Sequence, residues 1–174
     1  MSVSKIKIFL DLDKTIWDTF DKYGNQIWAK QLVGPLTLKK QNIIVDDVFS
    51  KCILRKDVLK FVNYFSLKKN FSISYITNGK YFGLPNRYQS SLIALSLFKL
   101  NGYFNSRNYL LYKTASKAKI LSSIPNIKIL FDDNIKIIKE CSKIKNTIVI
   151  DSNDINWKYQ IQNVENIVSS WRNT

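Results

Sequence analysis

The 174-residue chain contains no histidine. That absence removes His-based phosphatases, Ser-His-Asp hydrolases and most zinc enzymes, whose chemistry needs an imidazole as base or ligand. Any catalysis must run on carboxylates, lysines, hydroxyls and a metal. Cysteine is nearly absent too: Cys52 and Cys141 are isolated, too few for a metal cluster and a poor basis for a disulfide scaffold. Both read as buried small hydrophobes. No apolar stretch reaches the roughly 20 residues that span a bilayer. Ser2 to Lys7 carries two lysines, but the apolar run behind it meets Asp11 too soon for a secretory signal. A cytoplasmic protein with no membrane partner is therefore expected. Acidic residues are scarce, 13 against 27 Lys and Arg, and the net charge is +14. Such a surplus favours anionic partners, nucleic acid and phosphorylated substrates among them. It equally fits a lysine-rich solvated surface, since no basic run or arginine-rich tail singles out a nucleic-acid patch.

With 45% hydrophobic residues the chain has enough apolar material for a core. Its length predicts a single domain over residues 1–174. The sequence is organised around Ile6 to Thr15, Ile-Lys-Ile-Phe-Leu-Asp-Leu-Asp-Lys-Thr. The apolar run suits a strand buried on both faces of a parallel sheet. It ends in two carboxylates, Asp11 and Asp13, and like charges held close together are costly without a compensating cation. In open α/β sheets the carboxyl ends of strands are where ligands bind. Two carboxylates placed there suit a hard cation such as Mg²⁺ and leave one free to attack phosphorus. The plainer reading is a strand-to-turn junction capped by Asp13 or Thr15.

Residues from Trp17 to Phe49 read as a small flap, too short to bury a core of its own, with a hairpin tip at Gly24-Asn25 and a turn at Gly34-Pro35. Leu54, Val58, Phe61, Val62 and Phe65 form one helical stripe, predicting a crossover helix over 54–65. Phe71 to Thr77 is the second strand and stops at Thr77-Asn78-Gly79. A helix is predicted over 85–100, a short strand over 108–112, and a helix capped by Ser116 that carries Ile120, Leu121 and Ile124. Ile127 to Phe131 is another buried strand and again ends in acids, Asp132-Asp133. A helix over 134–144, a strand over 147–150 and a closing helix through Val164, Ile167, Val168 and Trp171 complete the chain. The alternation predicts an α/β fold, a three-layer Rossmann-like parallel sheet with helices on both faces. Asp11, Asp13, Thr77, Asp132 and Asp133 all follow strand ends and so converge on one edge. Asp151 also follows a strand but reads as a turn residue with Asn153 and Asp154. Trp17, Trp28 and Trp157 read as packing rather than as cleft walls.

Asp11-Leu12-Asp13-Lys14-Thr15, then Thr77-Asn78, then Asp132-Asp133 after Ile-Leu-Phe, together resemble the motifs of the haloacid dehalogenase (HAD) superfamily of phosphotransferases. The resemblance covers Ile6 to Asp151. Asp-Leu-Asp-x-Thr-Ile-Trp and Leu54-Arg55-Lys56-Asp57-Val58 are similar to segments of its small magnesium-dependent phosphatases that lack a large cap. It implies a phosphoric monoester hydrolase with Mg²⁺ as cofactor and an aspartyl-phosphate on Asp11. By the same resemblance Asp13 is general acid and base, and its backbone carbonyl is a metal ligand. Thr77 and the amides around Leu12, Asp13 and Asn78 bind the phosphoryl oxygens. Asp133 joins Asp11 on the metal, while Asp132 orients that ligand or the lysine. The lysine is Lys117 or Lys113; Lys117 opens a helix, whose N-terminus attracts phosphate. Lys119 and Lys14 are lesser candidates. With no large cap the site is open and admits a small molecule, a phosphoprotein or a nucleic-acid end. The alternative reading is a non-catalytic, basic nucleic-acid-binding module on the same scaffold.

Overall fold

Ile6–Leu10 forms β1, and its alternate side chains go to opposite sides, as a pleated strand requires. Ile6, Ile8 and Leu10 join one hydrophobic cluster and Phe9 the other. The computed structural model describes residues 6–78, 87–111 and 115–172, with only the backbone of 78, 87–89 and 172. After β1 come five short strands: β2 (Trp17–Phe20), β3 (Gln26–Ile27), β4 (Thr37–Lys40), β5 (Ile43–Val45) and β6 (Lys51–Leu54). Helices and strands then alternate: α1 (Val58–Leu67), β7 (Phe71–Asn78), α2 (Arg87–Leu97), β8 (Tyr109–Leu111), α3 (Lys117–Ser122), β9 (Lys128–Asp132), α4 (Ile135–Cys141), β10 (Thr147–Asp151) and α5 (Gln160–Arg172).

The fold is α/β. Its main sheet has five parallel strands in the order β10-β9-β1-β7-β8. Successive crossovers run outward from β1 to β7 and β8, then return to its other side for β9 and β10. The order reverses between β1 and β9, and ligand sites of open sheets lie at such a switch point. On one face Val58, Phe61, Val62 and Phe65 of α1 and Val164 and Val168 of α5 pack on Ile8, Leu10, Ile73, Ile129 and Phe131. Phe61 stands at the centre, its ring 4.9 Å from that of Trp157 and 5.3 Å from that of Phe131. On the other face Leu121 and Ile124, from α3 and its end, and Cys141 of α4 cover Phe9, Ile76 and Leu130. Cys52 and Cys141 are buried free thiols. Among the described residues no helix is long and apolar enough to cross a membrane.

Two expectations need correction. The segment expected as a flap over 17–49 extends to Leu54 and builds a second, antiparallel sheet, β3-β2-β6-β5-β4. Its hairpin closes where Asp21 N–H meets the Asn25 carbonyl, with Gly24 at φ +88°. Trp17, Ile44 and Cys52 of this sheet belong to the same cluster as the main core, so it is buttressed by that core. The helix expected from Leu54 begins only at Val58. Leu54 ends β6 instead, and Asp57 sits at φ +65°, which a helix interior does not admit. α4 stops at Cys141, short of the expected residue 144, and α2 at Leu97, short of residue 100; residues 85 and 86 of the helix expected over 85–100 and residue 112 of the strand expected over 108–112 lie outside the described residues.

Candidate active site

The chain leaves β1 at Asp11, whose N–H still donates to the Phe131 carbonyl, and turns at once. The N–H groups of Thr15 and Ile16 both donate to the Leu12 carbonyl, at 3.3 and 3.0 Å, and Lys14 takes φ +61°. This tight loop returns the Asp13 side chain to the cavity that Asp11 lines. Thr15 is fully buried, its hydroxyl 2.7 Å from that of Ser152. Ser152 N–H donates to the Asp132 carbonyl, and Arg55 Nη1 donates to the Ser152 carbonyl at 2.6 Å. The rest of the Arg55 guanidinium grips both oxygens of Asp18 on β2. A bidentate pair of this kind fixes geometry as well as charge. The loop after β1, the end of β9 and the second sheet are thereby tied together.

Lys117 opens α3 beneath its cap, Ser116, whose hydroxyl accepts from the Lys119 N–H. Lys117 is 2% exposed, and its ammonium donates to Asp11 Oδ1 and to Asp132 Oδ2, each at 2.6 Å. Asp132 Oδ1 accepts from the Asn134 N–H. Burial works against the charge on Lys117, but the carboxylates of Asp11 and Asp132 outweigh it and hold its pKa above the ordinary value. Burial and then the charge of Asp11 push Asp132 upward despite Lys117, and the same two causes raise Asp133. One ammonium cannot neutralise several carboxylates. Asp11, Asp132 and Asp133 bring carboxylate oxygens within 4.8 Å of one another, an arrangement able to hold a metal ion. All the donors are hard oxygens, and with Lys117 the group retains an excess of negative charge that a divalent cation would match.

Asp13 is held differently. Its Oδ1 accepts from Trp17 Nε1 at 3.0 Å and from the Ala29 N–H at 2.7 Å. Burial raises its pKa from 3.8 to about 6; those two donors pull it back, Asp11 adds to the rise, and Lys30 opposes it. A carboxyl so tuned exchanges its proton near neutral pH.

Asp11, Asp13, Thr77, Lys117, Asp132 and Asp133 thus line one cavity of about 600 Å³. Lys113 lies outside the described residues, as does the side chain of Asn78, whose backbone ends β7. Leu12 supplies its carbonyl to the loop and buries its side chain. Lys14 also lines the cavity, whereas the Lys119 backbone serves the α3 cap. Asp151 accepts from the Asn153 N–H in a local turn. Trp17 and Trp157 are packed in the core, but Trp28 is 41% exposed and lines the cavity, correcting its reading as packing. Sequence reasoning missed the donors to Asp13, the Arg55–Ser152 brace, and Trp28 with Lys30 on the cavity wall. Only the short spacing from Asp13 to Trp17 offered a signal. No protein-family model matches the chain, and no curated protein matches it significantly.

Proposed function

We propose that the chain is a Mg²⁺-dependent phosphomonoester hydrolase of the HAD type. The observation that carries this reading is Lys117, buried and bonded to both Asp11 and Asp132, with Asp133 within reach of the same carboxylates. Lys117 on Oδ1 orients the Asp11 carboxylate at the mouth of the switch point. Asp11 attacks the phosphorus, the bond to the leaving oxygen breaks, and the proton of Asp13 passes to that oxygen. The phosphoryl group is then held as an acyl phosphate on Asp11. Asp13, now ionised, takes a proton from water as the water attacks phosphorus and the Asp11–phosphorus bond breaks. Thr77 and the Lys117 ammonium offer hydrogen-bond donors to the phosphoryl oxygens. Asp11, Asp133 and the Asp13 backbone carbonyl would hold Mg²⁺, which when bound neutralises charge on the transferring group.

The test is phosphate release from p-nitrophenyl phosphate. Activity is expected with Mg²⁺, and it should vanish with EDTA and in Asp11→Asn. Full activity in Asp11→Asn would remove the nucleophile assignment. An inert wild type that binds nucleic acid with a steep salt dependence would favour the binding module instead.

A further inference from the structure

The cavity is far larger than a phosphoryl group, and its outer wall has a character of its own. Trp28 presents an indole there, 41% exposed, with the Lys30 ammonium 4.9 Å from the ring centroid. Lys14, Lys30 and Lys136 all line the same space, with Glu140 as an outlying acid on that wall. Besides the acids and Lys117, the cavity lining therefore holds one aromatic ring and three further lysines, one of them over that ring. A volume of about 600 Å³ lies within the range of small-molecule sites. The Trp28–Lys30 turn is also wired to the chemistry, because the Ala29 N–H donates to Asp13 at 2.7 Å.

From this wall we infer that the substrate is a nucleoside phosphomonoester carrying a second phosphate, its base stacked on Trp28 and its second phosphate among Lys14, Lys30 and Lys136. This rests on the phosphatase reading and names the substrate class for the same site. An indole accepts any base, because every base has a π-face. Ammonium groups add attraction for the remaining phosphate that salt screens. A simple polyol phosphate gains neither contact.

The experiment compares adenosine 3′,5′-bisphosphate, adenosine 3′-phosphate and glycerol 2-phosphate with Mg²⁺. Relative to glycerol 2-phosphate, kcat/KM for the bisphosphate should be higher. Trp28→Ala should cut that ratio by roughly 5- to 150-fold, the range expected for one stacked base. The loss should lie mainly in KM, and Trp28→Phe should retain most of the preference. Using a ratio cancels any loss of folded protein. Added salt should erode the preference for the bisphosphate over the 3′-monophosphate. Calorimetry of adenosine 3′,5′-bisphosphate with the Asp11→Asn protein reads the same subsite without turnover. Binding there that weakens in the Asp11→Asn, Trp28→Ala double variant supports the subsite even if the wild type hydrolyses nothing, in which case the phosphatase reading alone falls. Equal hydrolysis of all three compounds, with the ratio unmoved by Trp28→Ala, overturns the subsite and leaves the phosphatase reading standing.

Discussion

Asp13→Asn should make the protein more stable and less active at the same time. The substitution keeps the shape and retains a carbonyl oxygen to accept from Trp17 Nε1 and the Ala29 N–H. It removes only the charge. In the folded chain burial raises the Asp13 pKa from 3.8 to about 6. At about 1.4 kcal/mol per pH unit, that gap amounts to about 3 kcal/mol held against the folded state once the group is ionised. The partly solvent-facing position trims this to about 2–3 kcal/mol. The sign follows from proton binding. Below pH 3.8 the group is protonated in both folded and unfolded chains, and the wild type carries no penalty. Between pH 3.8 and about 6 the unfolded chain has lost its proton while the folded protein keeps it, so wild-type stability falls relative to the Asn variant, and above about 6 the gap is fully developed. Urea unfolding in EDTA at pH 4, 6 and 8 measures this directly. The variant should gain chiefly between pH 4 and 6, change little more by pH 8 and be about 2–3 kcal/mol ahead there, while phosphate release with Mg²⁺ falls by at least a hundredfold. A variant less stable than wild type at pH 8 would refute the reasoning, because it would mean that the Asp13 carboxylate is a favourable charge and not a penalised one.

Lys117→Met should destabilise the metal-free protein by about 3–5 kcal/mol in urea, because it leaves Asp11 and Asp132 facing each other without their cation. Indifference to the change would contradict the buried bridge. Asp46 is 5% exposed and accepts from the N–H groups of Val33, Val48 and Ser50, so Asp46→Ala should lose about 2–4 kcal/mol as those donors go unpaired. Thermal melts would measure it, and an unchanged midpoint counts against the brace. Burial pushes the Cys52 thiol up to about 12 and that of Cys141 to about 11. Native protein at pH 8 should therefore resist iodoacetamide, with both thiols alkylated only in urea, as mass spectrometry would report.

What the sequence revealed follows from how strongly each element declares itself locally. β1 and β9 are apolar runs that stop at acids, and a strand buried on both faces has to look that way. The α1 stripe of Val58, Phe61, Val62 and Phe65 carries helical period, and Ser116 marks the start of α3, so Lys117 was legible as a residue pointing from a helix start towards the sheet edge. Beyond its hairpin tip at Gly24-Asn25 the second sheet was not legible, because its strands are two to four residues long. All four residues of β4 are exposed, so no alternation of burial marks it. The partners of Asp13 were hidden for another reason. A backbone N–H, such as that of Ala29, carries no signature in residue type. The Arg55–Asp18 pair joins positions far apart in sequence, and Ser152 is an ordinary serine until the fold brings Thr15 beside it.

The second sheet acquires a purpose when these hidden contacts are set beside the charge at the switch point. Asp11 follows β1, Asp132 ends β9 and Asp133 follows it, so parallel topology alone gathers them, and Lys117 is the cation that arrives from α3. Asp13 lies one turn beyond β1, where the parallel sheet offers it no partner. Its two donors come from Trp17 on β2 and from Ala29 in the turn after β3. Without them burial would drive Asp13 higher still, and the carboxyl would hold its proton more tightly. Arg55 then locks β2 to the loop that positions Asp132, so the tuning of one acid and the placement of the others share a single frame. The parallel sheet accounts for where the acids meet; the antiparallel sheet and the turn after its β3 supply the two donors that hold Asp13 among them.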